Sequence, residues 1–131
     1  MLFLNKKLQL IIKEERISEL KEEISDSNTK VRNKIFNELL IKRKNNLLNK
    51  LSNVFSKEPH FVVRINYIKY YLKNGININA KYIEEILIFG NKKEKIDVLH
   101  LIDDFYNEIS GCTELLMKSL HDTNKTVIIH T

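Results

Sequence analysis

The segment that decides the fold is residues 26–32, DSNTKVR, because it separates two stretches of helical periodicity. Apolar residues on both sides of it recur every three or four positions: Ile17, Leu20 and Ile24 before it, and Val31, Ile35, Leu39 and Leu40 after it. That spacing places each set on one face of a helix. The oxygens of Asp26, Ser27 and Asn28 suit the free N–H groups at a helix start. We therefore expect two helices joined by a tight polar turn.

The rest of the chain has the same character. Of its 131 residues, 43% are hydrophobic and 30% are charged, with only three Gly and one Pro. So few turn residues favour helices over a sheet fold, and no stretch alternates cleanly with period two. We predict an all-α protein with helices at about 2–14, 17–25, 28–43, 45–56, 60–74, 79–89, 92–108, 112–121 and 124–131.

The turn recurs along the chain. Setting Asp26, Glu58, Asn91 and Asp122 in register gives spacings of 32, 33 and 31 residues. Five residues after each lies a β-branched apolar residue: Val31, Val63, Ile96 and Val127. Two further apolar columns align ten and fourteen positions after the first three: Phe36, Ile68 and Leu101, then Leu40, Leu72 and Phe105. This periodicity predicts stacked helix pairs that share a continuous core.

The turn resembles the inter-helix turn of HEAT repeats, in which an Asp precedes Val-Arg by five and six positions. Residues 26–32 carry the whole pattern, residues 58–64 (EPHFVVR) repeat it with Glu, residues 122–127 keep the acid and the Val, and residues 91–97 match poorly. The residues that carry the resemblance are Asp26, Val31, Arg32, Glu58, Val63, Asp122 and Val127. It implies a right-handed α-α superhelix, a short solenoid of about four HEAT-like helix pairs. It also implies a bond between the turn acid and the Arg of adjacent repeats, here Asp26 with Arg64.

This pattern divides a single domain, 1–131, into a capping helix and four helix pairs. The capping helix is 1–16 and the pairs are 17–44, 45–75, 76–109 and 110–131, the last truncated. The last pair ends in the apolar run Val127-Ile128-Ile129. An uncapped apolar end predicts either a homo-oligomer formed through it or a continuation of the chain.

Charge is concentrated in the centre of the sequence. Residues 25–75 hold eleven basic and three acidic residues, within a chain of net charge +5. We expect the outward-facing residues there to form the partner-binding surface: Lys30, Lys34, Arg64, Lys69, Tyr70 and Lys73. Asp103 and Asp104 follow on the third pair, so this surface runs from basic to acidic. Tyr67 and Tyr71 are expected in the core, and residues 42–44 (KRK) form either a helix end or part of the patch.

Catalytic and metal-binding signatures are absent from the sequence. The four His residues are dispersed, no Gly-rich phosphate loop occurs, and we expect no metal, no cofactor and no enzymatic activity. Cys112 is the single cysteine, and neither a membrane span nor a signal peptide is apparent. The expected location is therefore the cytoplasm.

These features predict a non-catalytic protein-binding scaffold that uses the curved face lined by the second helices of the pairs. The alternative is a nucleic-acid-binding protein that uses the basic centre. A third class, the DNA-alkylation-repeat enzymes, resembles the chain in architecture only, because those enzymes use Trp in a lesion cleft and this chain has none.

Overall fold

A computed structural model of the chain describes residues 5–121, with side chains through residue 117, and it confirms the all-α prediction. Within residues 5–121 there are nine α-helices, one short 3-10 helix and a pair of two-residue strands. The predicted helix at 124–131, the turn residues Asp122 and Val127, and the apolar run proposed for self-association lie outside the described residues.

The helices belong to two compact units, unit 1 (Met1–His60) and unit 2 (Phe61–Thr131). The boundary falls between the helices of the predicted pair 45–75. The division of the chain into one cap and four pairs stays a prediction.

Unit 1 contains five helices: α1 (Lys6–Lys13), α2 (Ile17–Asp26), α3 (Thr29–Ile41), α4 (Asn45–Lys50) and α5 (Ser52–Phe55). Helix α2 packs on α1, α3 and α5, and α3 also packs on α4. Of the apolar residues predicted from the helical spacing around the first turn, Leu20, Ile24, Ile35 and Leu39 are buried, whereas Ile17, Val31 and Leu40 are half-buried. The rings of Phe36 and Phe55 meet edge to face with centroids 4.9 Å apart, which joins α3 to α5.

Asparagine caps the start of four helices within residues 5–121. The side chains of Asn5, Asn28, Asn79 and Asn91 each accept a hydrogen bond from a backbone N–H two or three residues further on. At Asn91 the carboxylate of Glu94 also accepts from the Asn91 N–H, which completes a capping box. These side chains satisfy N–H groups that have no partner inside the helix, so the polar turns of the sequence fix where the helices begin.

Helices α1 and α3 end in the same way. The residue after each C-cap, Glu15 or Arg43, has a positive φ of 52° or 54°. The backbone N–H of this residue and that of the following residue donate hydrogen bonds to carbonyls in the last turn of the helix. At the end of α3, for example, the Lys44 N–H donates to the Leu39 carbonyl at 2.9 Å. Residues 42–44 therefore form the end of α3, where Lys44 also pairs with Glu15 over 3.6 Å.

Unit 2 contains α6 (Phe61–Lys73), β1 (Ile78–Asn79), α7 (Ala80–Phe89), α8 (Lys92–Phe105), a 3-10 turn (Tyr106–Glu108), β2 (Ile109–Ser110) and α9 (Cys112–His121). Helix α8 packs on α6 and α7, and α7 packs on α9. The two strands, which the sequence pattern did not predict, pair in parallel, Ile78 with Ile109 and Asn79 with Ser110. Since the strands lead into α7 and α9, the pairing brings the starts of these helices together.

The core of unit 2 combines aliphatic residues with tyrosines. Tyr67, Ile68, Tyr71, Ile83 and Ile86 are among its most deeply buried side chains. No helix of the described chain has the length and apolarity required to span a membrane.

Candidate functional site

Helix α6 has one narrow exposed face. Val62, Asn66, Lys69 and Lys73 are exposed, and their spacing of four, three and four residues places them in one stripe along the helix. Neither Lys69 nor Lys73 forms an ion pair with a residue that the structure describes. The stripe therefore presents two uncompensated positive charges to solvent.

The tyrosines of α6 divide between the core and the edge of this stripe. Tyr67 and Tyr71 are buried, as predicted, and Tyr70 is half-buried beside Lys69. The rings of Tyr70 and Tyr71 meet edge to face with centroids 5.4 Å apart. Burial strongly raises the pKa of Tyr71, so its hydroxyl stays neutral. Tyr70 is thus the aromatic residue of this cluster that an external partner can reach.

Helix α8 contributes charges of the opposite sign. Asp103 and Asp104 are exposed near its C-terminal end, and neither forms an ion pair within the described chain. Asp97, earlier on the same helix, forms an ion pair with Lys93, with 3.0 Å between Oδ2 and Nζ. Among the residues of unit 2 that the structure describes, α6 therefore carries two lysines, and α8, which packs against it, two aspartates, all without ion-pair partners. We call the exposed residues Lys69, Lys73, Asp103 and Asp104, together with the half-buried Tyr70, the α6–α8 surface.

Arg64 does not belong to this surface, although we expected it there. Its side chain is only 4% exposed, because it turns into unit 2 towards α7. The guanidinium donates hydrogen bonds to the carbonyl of Tyr82 at 2.9 Å and to Glu85 at 2.7 Å, and it lies 5.1 Å from the centroid of the Phe61 ring. Arg64 thus holds α6 to α7. Its predicted bond with Asp26, an exposed residue of unit 1, stays a prediction.

A buried ion pair joins two of the turn copies in unit 1. The Glu58 carboxylate is fully buried and accepts hydrogen bonds from residues on both sides of it. The donors are Arg32 through Nε (2.5 Å) and Nη2 (3.0 Å), the Thr29 hydroxyl (3.0 Å) and the His60 backbone N–H (3.0 Å). Arg32 also donates to the carbonyl of Ser27. The Arg of the first turn therefore binds the acid of the second.

These contacts set the ionisation of Glu58. Burial alone would raise its pKa, but the hydrogen bonds from Arg32, the His60 N–H and Thr29, with the positive charge of Arg32, lower it overall. The carboxylate therefore stays charged at neutral pH. A shallow pocket of about 250 Å³ lies beside the pair, lined in part by Ile24, Val54 and Pro59. Both Glu58 oxygens already accept hydrogen bonds within the protein. We therefore interpret the Arg32–Glu58 pair as a structural contact.

The remaining predicted residues lie on α3 and α6. Lys30 is exposed and Lys34 half-buried on α3, and neither forms an ion pair within the described chain. Val31 and Val63 are half-buried at matching positions. Lys30 and Lys34 belong to unit 1, whereas Lys69, Tyr70 and Lys73 belong to unit 2, so two basic segments are present.

Cys112, the single cysteine of the chain, is buried in unit 2. Burial raises the pKa of the Cys112 thiol, so this cysteine stays protonated and unreactive. Among the residues that the structure describes, no three His, Cys, Asp or Glu side chains come together as ligands for a metal ion.

Comparisons with known proteins give no relative. No family model matches the chain, and no curated protein or solved structure matches it either.

Proposed function

We propose that this protein is a non-catalytic protein-binding scaffold whose binding site is the α6–α8 surface. The observation that carries the proposal is the pair of exposed lysines on α6 and the pair of exposed aspartates on α8, all without ion-pair partners in the described chain. A protein segment with acidic groups over α6 and basic groups over α8 complements both. Such complementarity contributes mainly to specificity and association rate.

The architecture that we propose for it is a HEAT-like stack of helix pairs in a right-handed superhelix. Two observations support this. Two of the three columns aligned by the turn register share their environment: Phe36, Ile68 and Leu101 are all buried, and Val31, Val63 and Ile96 are all half-buried. In the third column Leu72 is buried, whereas Leu40 and Phe105 are half-buried. The Arg32–Glu58 bond also joins two successive turn copies, which is the kind of contact that the resemblance implies. A single buried cysteine fits the reducing environment of the cytoplasm.

Panning a displayed random-peptide library on the purified protein tests the binding site. We expect the selected peptides to contain both acidic and basic residues, and we expect the double variant Lys69→Glu/Lys73→Glu to weaken their binding at least about tenfold, a loss of about 1.4 kcal/mol. A complementary Asp103→Lys/Asp104→Lys variant should weaken the same peptides.

A matched control separates a local effect from net charge. Lys13 and Lys21 are exposed, belong to α1 and α2, and form no ion pair within the described residues. Lys13→Glu/Lys21→Glu changes the net charge by the same amount away from the α6–α8 surface, and it should leave peptide affinity unchanged. Equal losses in both double variants, or selected peptides indifferent to all of them, would refute the proposed site.

A second candidate, nucleic-acid binding, is favoured by the charge of unit 1. This unit holds thirteen basic and eight acidic residues, whereas unit 2 holds nine of each, so the whole net charge of +5 resides in unit 1. The test is a gel shift of labelled duplex DNA at increasing salt, since binding through phosphates weakens steeply with ionic strength. Binding abolished by Lys30→Glu/Lys34→Glu and retained by Lys69→Glu/Lys73→Glu would establish this function.

A further inference from the structure

The end of α6 carries a sequence with its own reactivity. Asn74 is the only asparagine of the chain that is followed by glycine, and both Asn74 and Gly75 are exposed. Gly75 has φ +75°, and a Cβ built on it would meet nothing within 4 Å. Because glycine has no Cβ, residue 75 itself places no side chain between its backbone nitrogen and the Asn74 carboxamide.

We propose that Asn74 is a site of spontaneous deamidation that alters the charge at the C-terminal end of α6, next to Lys73. The Gly75 backbone nitrogen attacks Cγ of Asn74, a C–N bond closes a five-membered succinimide, and the Cγ–Nδ2 bond breaks. The side-chain NH₂ leaves as ammonia with the proton from the Gly75 amide. Water then opens the ring, and gives aspartate where it attacks Cγ or isoaspartate where it attacks the backbone carbonyl carbon.

The native cap of α6 restrains this reaction. The Gly75 N–H donates to the carbonyl of Leu72 at 3.1 Å, and the next N–H, of Ile76, donates to Tyr71 at 2.9 Å. The Asn74 Nδ2 donates to the carbonyl of Tyr70 at 2.8 Å, which holds the carboxamide in place. Attack requires the Gly75 nitrogen to lose its proton and the carboxamide to turn. Deamidation therefore proceeds from molecules in which the last turn of α6 has opened.

The product differs from the native end of α6 in charge and in hydrogen bonding. A carboxylate at position 74 cannot donate to the Tyr70 carbonyl, and it places a negative charge at the negative end of the helix dipole. It also adjoins Lys73, whose free charge belongs to the α6–α8 surface. This last consequence, a weaker attraction for acidic segments, rests on the proposed function, whereas the deamidation itself does not.

Peptide mapping by mass spectrometry tests the inference on the full chain, incubated in mildly alkaline buffer with and without denaturing urea. We expect the side-chain NH₂ to be replaced by OH faster at Asn74 than at every other asparagine. Asn107, which is also exposed, serves as the internal reference. In the native chain the reaction should be at least about tenfold slower than in the denatured chain, since the opened population falls tenfold for each ~1.4 kcal/mol of opening.

Two outcomes would overturn the inference. A reaction at Asn74 no faster than at Asn107 in the denatured chain removes the reactive site. Equal rates at Asn74 in native and denatured chains remove the control by the α6 cap. Asn74→Gln, which disfavours ring closure, should abolish the product. Asn74→Asp should lower the unfolding midpoint in urea, and this readout does not depend on any partner.

Discussion

At the scale of single residues, Glu58 shows how a charged side chain is tolerated in the core of so small a unit. A buried carboxylate is costly unless hydrogen bonds replace the water that it loses. Glu58 accepts several of them, including two from Arg32. Glu58 therefore connects α3 to the segment after α5, and its removal takes away the carboxylate that Arg32 binds.

Glu58→Ala is expected to lower the free energy of unfolding by about 3 kcal/mol, because breaking a buried ion pair strands the remaining charge. Urea titration followed by circular dichroism measures the loss. Glu38→Ala is the matched control, since Glu38 forms a solvent-exposed pair with Lys42 four residues away and should cost about 0.5 kcal/mol or less. Similar losses in the two variants would show that the Glu58 pair does not stabilise unit 1.

Ser56, two residues before Glu58, is a buried polar residue whose side chain lacks such hydrogen bonds within the described chain. Its hydroxyl is fully buried and has no hydrogen-bond partner among the residues that the structure describes. Ser56→Ala should therefore leave stability unchanged or raise it by up to about 1 kcal/mol in urea titration. Ser27→Ala is the contrast, because the Ser27 hydroxyl donates to the Ile24 carbonyl at 3.0 Å. A larger loss for Ser56→Ala than for Ser27→Ala would contradict the assignment.

At the scale of the helices, α1, α3 and α6 end in one backbone motif with three different residues in the left-handed position: Glu15, Arg43 and Gly75. Only glycine adopts that conformation without steric cost. The first two caps therefore carry strain that the third does not.

The expected outcome is that Arg43→Gly stabilises the protein and Gly75→Ala destabilises it, each by about 1 kcal/mol. At Gly75 an added methyl group meets nothing within 4 Å, so its cost is that of the backbone alone. Thermal unfolding measures both changes. Arg43→Ala, which removes the charge but keeps the strained backbone, should match the wild type. A gain for Arg43→Ala equal to that for Arg43→Gly would assign the effect to charge.

How much of these elements the sequence predicts depends on the range of the interactions involved. Apolar spacing and capping residues act within one helix, so most of the described helices begin and end within a few residues of the predicted bounds. The exception is the helix predicted at 45–56, which is divided into α4 and α5. The strands at Ile78 and Ile109 were missed because two residues cannot show a period of two. Arg64 was expected at the surface because arginine is seldom buried, and its partner Glu85 lies 21 residues away. The exposed lysines and aspartates of the α6–α8 surface were predicted, since they follow from the face of each helix.

At the scale of the whole molecule, we expect unit 1 to be the more acid-sensitive of the two units. This unit holds the net positive charge, and its turn contacts depend on the ionised form of Glu58. Protonation of Glu58 on acidification removes the ion pair and adds to the repulsion among the bases of unit 1. Unit 2 has balanced charges, so the two units should respond differently to acid.

The pH dependence follows from the lowered pKa of Glu58. In the unfolded chain a glutamate titrates near pH ~4.3, above its pKa in the folded protein, so the unfolded chain takes up the proton first as the pH falls. The stabilisation by Glu58 is therefore complete above that pH and is lost as the pH falls through the folded pKa. Glu58→Gln has no such titration, so its stability should change less than that of the wild type between about pH 5 and pH 3.

Hydrogen exchange measured across that range should show residues 5–60 losing protection at a higher pH than residues 61–117. Equal pH dependence of stability in the wild type and in Glu58→Gln would rule out Glu58 as the titrating group. Loss of protection at the same pH in both ranges would mean that the two units unfold together.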